Sequence, residues 1–272
     1  RKARKLKKYH KWPGLIIALF MLYYGATGIL LNHRSLLGGL DVPRQVLPEQ
    51  YHVQNWNNAA LKGNVRLGQD SMLLYGNGGI WLSHAYGQHK RPFMQGLPQG
   101  ADRRKVFELR HTPKGHLYAA MQSGLFVRER GAGQWQRLKL TGRNGERVTG
   151  LALKGDTLVA LSRSHLYYGA DAGSQSRLKK QELPAPKGYK HDISLFKTLW
   201  QFHSGEVFGL PGKLVVDVLG VIAIVLALTG VVYFFFPGWV KRRKRKRKAF
   251  AGLQRTNRIS LNWHNKLGVW TV

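Results

Sequence analysis

The sequence predicts a membrane protein: an α-helical transmembrane bundle that carries an inserted β-rich periplasmic domain with propeller-like repeats. Three observations predict it. Two long apolar runs are each bordered by dense Lys/Arg blocks. Between them, short apolar strand pairs recur at a nearly constant interval. The end of the chain repeats the motif that opens the first apolar run.

The first run, Pro13 to Leu31, is nineteen residues without a charge. As a helix it spans roughly 28 Å at about 1.5 Å per residue, which matches a bilayer's hydrocarbon core. A cleaved signal peptide is the rival reading. The run is longer than a usual signal core, however, and no small-x-small cleavage site follows it. The second run, Val215 to Pro237, is broken only by Asp217. Six of the first eight residues are basic, and so are all eight of 241–248, so both ends are expected on the cytoplasmic side of a bacterial inner membrane. The same placement assigns these blocks to anionic lipid and excludes nucleic acid as a partner.

The segment from Arg34 to Gly212 is then expected in the periplasm. It holds 25 Lys+Arg against 12 Asp+Glu, an excess of 13 within a total formal charge of +31. Long translocated domains escape the positive-inside rule, so this excess points to an anionic ligand instead. Within the segment, strand pairs begin at Met72, Leu117 and Leu158, intervals of 45 and 41 residues, and turn sequences rich in Gly, Asn, Asp and Lys punctuate them. That interval is the length of a propeller blade, but three blades cannot close a ring. Gly169 to Gly188 reads as an exit linker. The next stretch places Ile193, Phe196, Leu199, Trp200 and Phe202 at near-helical spacing, a helix suited to lie on the outer membrane surface.

The predicted order is a cytoplasmic basic tail (1–12), a first transmembrane helix (13–33), the periplasmic β-rich domain (34–190) and an amphipathic helix (191–212). A second transmembrane helix (213–237), a basic cytoplasmic loop (238–262) and the start of a third transmembrane helix (263–272) complete it. The chain is expected to continue past residue 272, since aromatic-His-x3-Gly-aliphatic occurs at both Tyr9–Leu15 and Trp263–Val269. The two complete spans also share an Ala/Thr/Gly cluster, Ala26-Thr27-Gly28 and Ala227-Leu228-Thr229-Gly230.

Four stretches carry a resemblance: His10-Lys-Trp-Pro-Gly-Leu, Thr27-Gly-Ile-Leu-Leu-Asn-His33-Arg, His203-Ser-Gly-Glu-Val-Phe-Gly and Trp263-His264-Asn-Lys-Leu-Gly. They resemble the PepSY-associated transmembrane helix family, and its siderophore-iron reductases in particular. The resemblance covers about 110 residues at the two ends, with no motif from the middle and no PepSY domain proper. It implies four spans in the intact protein, b-type haem between the helices, and reduction of ferric siderophores in the periplasm.

The residues argue for haem independently. The chain has no cysteine, which excludes disulfides, thiolate nucleophiles and Cys-ligated clusters, so axial ligands must be His or Met. His33 and His203 border the spans on the outer side, and His10 and His264 on the inner side. The expectation is two haem b groups, an outer one on His33 and His203 and an inner one on His10 and His264. His10 and His33 are 23 residues apart, about 34 Å and roughly 140° around an ideal helix, so they cannot share a haem. A bend at Pro13 or Asn32 would bring the two sites into one bundle. Arg34 is a candidate partner for a haem propionate. Asp217 is the sole carboxylate in an apolar span, and either function, snorkelling or Lys213 one turn away accounts for it. The six histidines between His52 and His165 show no metal-ligand spacing, and His191 is a weaker candidate for supporting the outer site.

No phosphate loop and no GxGxxG occurs, so a flavin or nicotinamide site is not expected in this chain. Electrons would come from a separate donor, a quinol or a cytoplasmic reductase, and the substrate would be a ferric siderophore or other anionic iron chelate. The alternative is a haem-free, membrane-anchored periplasmic module for ligand binding or sensing.

Overall fold

The computed structural model describes residues 2–52, 55–56, 61–84, 87, 89–140, 145–190, 192–246 and 251–271, with the side chains of 2–11, 251 and 268–271 outside the description. The chain forms two compact units, one of residues 1–34 with 190–272 and one of residues 35–189.

The first unit is helical: α1 (Lys2–Asn32), then a single turn, α2 (Arg34–Leu37), leading out of it, and on the chain's return α3 (Leu195–His203), α4 (Gly209–Arg245) and α5 (Ala251–Thr271). Two stretches, Trp12–Asn32 and Glu206–Arg245, are long and apolar enough to cross a membrane, and most of their large side chains are exposed, as lipid-facing residues must be. The helices run past the apolar segments at both basic ends because Lys, Arg and Ala are good helix formers that extend a helix already nucleated. Pro13 and Pro237 both lie inside helices.

Helices α1 and α4 pack antiparallel. Gly25 and Gly220 face each other at the crossing, where a Cβ on Gly25 would lie 3.0 Å from Ile224 and one on Gly220 would lie 3.1 Å from Ile29. Toward the other end the Trp12 and Phe234 rings meet edge to face at 5.1 Å. Small residues at the crossing are what brings two helix backbones together where the hydrophobic effect cannot. Ser194 caps α3 by accepting from the Lys197 amide. The turn from α3 into α4 uses Gly205 at φ +71°, whose carbonyl approaches Gly212 so closely that no side chain fits there.

The second unit consists of three consecutive four-stranded antiparallel meanders. They are β1–β4 (Leu61–Arg66, Ser71–Gly76, Gly79–His84, His89–Pro92), β5–β8 (Val106–His111, Leu117–Met121, Gly124–Arg128, Gln136–Arg137) and β9–β12 (Val148–Lys154, Thr157–Ser162, Leu166–Ala170, Lys179–Gln181). The recurring strand pairs are the middle hairpin of each sheet. Strand β12 falls inside the stretch expected to be a linker. All three of its residues are exposed, so it has no hydropathy signal.

The middle sheet is buried on both faces. Along β6, Leu117, Ala119 and Met121 join the core shared with the first sheet, which includes Leu73, Ile80 and Trp135. Tyr118 and Ala120 point the other way, into the core shared with the third sheet, which includes Leu151, Leu158 and Tyr167. This is the two-residue alternation of a strand with apolar partners on both sides. Each sheet also carries one bulge, at the second residue of its first strand: Lys62 in β1, Phe107 in β5 and Thr149 in β9.

Candidate functional site

The polar residues of the helical unit gather in two places along α4. One is built on Asp217. Its carboxylate accepts from Asn32 Nδ2 at 3.0 Å and from His33 Nε2 at 2.8 Å, so the last residue of α1 and the one after it both clasp α4. The carboxylate side chain is 14% exposed, and two charge-assisted bonds repay its desolvation. Lys213 instead pairs with Glu206 at 3.6 Å. Asn32 and His33 are the partners of Asp217 that sequence reasoning missed; the signal was two hydrogen-bonding side chains placed where α1 meets the span boundary.

The other place is built on His264 of α5. Its Nδ1 lies 3.2 Å from the Leu226 carbonyl and 3.1 Å from Thr229 Oγ1. Thr229 donates its own proton to the Val225 and Leu226 carbonyls, so its oxygen is left to accept. Both partners of Nδ1 are therefore acceptors, and the network assigns the proton to Nδ1. Nε2 then carries a lone pair and has no hydrogen-bond partner among the described residues. The ring edge faces Gly230, where a Cβ would stand 3.5 Å from Cε1. The shared Ala/Thr/Gly cluster thus has a physical role in α4: the Thr orients the imidazole and the Gly lies against its edge.

An imidazole with Nδ1 bound to a carbonyl and Nε2 bare is the arrangement that metal-ligating histidines adopt. His264 fits axial ligation of a haem iron. His33 does not fit as placed, because its Nε2 is given to Asp217. His203 is exposed at the end of α3, with no bond to His33 or Asp217. The His10 side chain and His191 lie outside the described residues. Arg34 is exposed directly after His33. Among the described residues no three His, Asp or Glu converge as a metal site.

In the second unit several acids are bound to neighbours within the fold. Asp171, 3% exposed, accepts from His116 Nδ1 and from Tyr118 Oη, each at 2.6 Å. Burial alone would raise its pKa, but bonds from Tyr118, His116 and Thr112 outweigh that and hold it below the usual carboxylate range. Glu146 behaves alike: burial is overcome by Ser162, Tyr167 and Ser164. His116 is thus tied into a packing network, and the His165 ring packs edge to face against Tyr167 at 6.2 Å.

Two helices long and apolar enough to cross a membrane, joined through Asp217 and interrupted by a β-rich insertion, fit a membrane protein. Residues 1–236 match the family described as PepSY-associated TM region, and the chain belongs to that family. No curated protein matches it. A solved structure it resembles comes from the work titled "Structural and functional probing of PorZ, an essential bacterial surface component of the type-IX secretion system of human oral-microbiomic Porphyromonas gingivalis". The match has 19% identity over 44% of this chain and 16% of that one, with a TM-score of 0.33, too low to support a shared fold.

Proposed function

We propose that this chain is part of a bacterial inner-membrane haem protein that delivers electrons to ferric iron held in an anionic chelate, such as a siderophore complex, on the periplasmic side. The observation that carries the proposal is His264: its tautomer is fixed by α4 and its Nε2 is bare among the described residues. Haem b, when bound, supplies one-electron transfer within the bundle. His264 would hold it with His10 as the partner from α1. Thr229 and the Leu226 carbonyl fix the orientation of the ring. An outer haem on His33 and His203 requires His33 to exchange its bond with Asp217 for iron, so the proposal rests on the inner site.

Each Fe(III) takes one electron from a donor, a quinol or a cytoplasmic reductase, which is oxidised in turn. The basic blocks at 1–8 and 241–248 support a cytoplasmic N-terminus. The three meanders, with bulges 45 and 42 residues apart, support reading the periplasmic domain as propeller-like blades.

A second reading, a haem-free binding or sensing module, draws support from the engaged His33. Absorption spectra of the detergent-purified full-length protein, oxidised and then dithionite-reduced, decide between them. Sharp reduced α and β bands that disappear in His264→Ala and persist in His84→Ala are expected. A protein that stays colourless when produced with added haem precursor overturns the electron-transfer reading.

A further inference from the structure

The first strands of the three sheets bring together a group of cations that the helical unit does not use. Lys62 is the bulged residue of β1, Phe107 is the bulged residue of β5, and Arg147 lies directly before β9. The Lys62 ammonium stands 4.3 Å from the centre of the Phe107 ring and the Arg147 guanidinium stands 4.2 Å from it. The two charges are therefore no farther apart than the sum of those distances. Lys105, two residues before Phe107, supplies a third cation nearby.

Like charges gathered from three separate sheets repel, and here little offsets the repulsion. Neither Lys62 nor Arg147 has a carboxylate partner among the described residues, while Lys105 is paired with Asp102 at 2.7 Å. The adjacent acid, Glu108, is engaged elsewhere: it accepts from the Leu151 amide and pairs with Arg110. The Lys62 ammonium is pushed down from its ordinary pKa by burial, then by Arg147 and Lys105. Bulges are a means of re-aiming a side chain out of the ladder, and they concentrate next to binding sites. In this unit the bulges place a cation and its aromatic support side by side from adjacent sheets.

We propose that Lys62 and Arg147, carried on Phe107 and assisted by Lys105, form a binding site for a small anion bearing two or more carboxylates, free or as its ferric complex. Both cations lie against the ring, so it supports them and does not present a bare face for stacking. Two charges at this separation suit two carboxylates of one small molecule. A long polyanion would need a longer basic track than three residues provide. The proposal deepens the functional reading above by assigning a docking surface to its anionic substrate.

Isothermal titration calorimetry of the full chain in zwitterionic detergent at low salt, with citrate and with ferric citrate, tests it. No electron transfer is involved, so a colourless protein that binds citrate keeps this site and loses only the reductase reading. A haem protein indifferent to citrate loses only this site. Lys62→Gln/Arg147→Gln is expected to weaken citrate about tenfold or more, and Lys179→Gln/Lys180→Gln, an equal charge loss on the exposed edge strand β12, by less than about twofold. Removing the repulsion should leave the first double variant at least as thermostable as the parent, which separates lost binding from lost folding. Absence of citrate binding, or equal weakening in both double variants, overturns the proposal. So does a first double variant that retains citrate binding but loses sedimentation with phosphatidylglycerol vesicles, since the anion recognised would then be a lipid headgroup.

Discussion

Replacing Asp171 by Ala removes the acceptor at the centre of a buried network that ties the segment after β11 to β6 of the neighbouring sheet. Breaking a buried charged cluster from one side costs about 3–5 kcal/mol when the remaining partners are stranded. Here they are only partly stranded. Tyr118 Oη keeps Ser176 Oγ at 3.0 Å and the Gly173 amide at 3.1 Å, and the His116 side chain, 18% exposed, can turn to water. The lower end applies, about 3 kcal/mol, which is roughly a hundredfold in the opening equilibrium. Hydrogen–deuterium exchange of the full chain in detergent should therefore show β6 and β10 amides exchanging about a hundredfold faster in Asp171→Ala, with α1 and α4 unchanged. The same acid sets a pH dependence. Its folded pKa lies below the unfolded value of about 3.9, so its contribution is fully present above that value and is lost as pH falls through the folded pKa. The difference in exchange rate between variant and parent should therefore begin to shrink below about pH 4 and go on shrinking until the pH is below the folded pKa of Asp171. Variant rates within about threefold of the parent at pH 7 would refute the assignment of this network as the clamp between the second and third sheets.

Three other outcomes follow from close contacts and shifted groups. Gly25→Leu drives a side chain into Ile224 and the Gly220 carbonyl, and overpacking of this kind costs about 1–3 kcal/mol, so the variant should lose thermal stability in detergent while Gly28→Leu, which meets open space, should not. Gly96→Ala should destabilise the β unit by more than about 1 kcal/mol in urea melts followed by near-ultraviolet circular dichroism, because its φ is +87° and the Cβ would clash with the Trp135 backbone. Tyr167, pushed up to about 12 by burial and then by its bond to Glu146, should stay unionised in an alkaline absorbance titration after exposed tyrosines have titrated, and Glu146→Gln should bring it down.

The spans and the middle hairpins were legible because each has a strong local hydropathy signature: an uninterrupted apolar run, or an apolar strand pair around a glycine turn. The fourth strands were not, since β4, β8 and β12 read His-Lys-Arg-Pro, Gln-Arg and Lys-Lys-Gln and are fully exposed. Their pairing depends on the neighbouring strand and not on their own side chains. The bulges at Lys62, Phe107 and Thr149 left no trace either, because the unpaired residue differs in each sheet. In the helical unit, the importance of Asp217 was visible but its partner was not. A carboxylate at a span boundary can be satisfied along its own helix or across to another, and only the antiparallel register of α1 and α4 selects Asn32 and His33 over Lys213.

The placement of acids explains how a positive surface can persist on the β unit. Of the twelve carboxylates between Arg34 and Gly212, Glu129, Glu146 and Asp171 accept from hydroxyls, backbone amides and a histidine and do not pair with Lys or Arg. These acids are spent on joining turns and sheets. Asp41, Asp102, Glu108 and Asp156 do pair with cations, but with Arg104, Lys105, Arg110 and Lys114, which lie between β4 and β6. Lys62 and Arg147 are left outside both sets. Charge that the fold needs for its own cohesion is neutralised locally, and Lys62 and Arg147 are among the cations left over. A field made this way is fixed by the fold, so an anion meeting it finds two cations held against one ring, and loses less of its binding energy to ordering them.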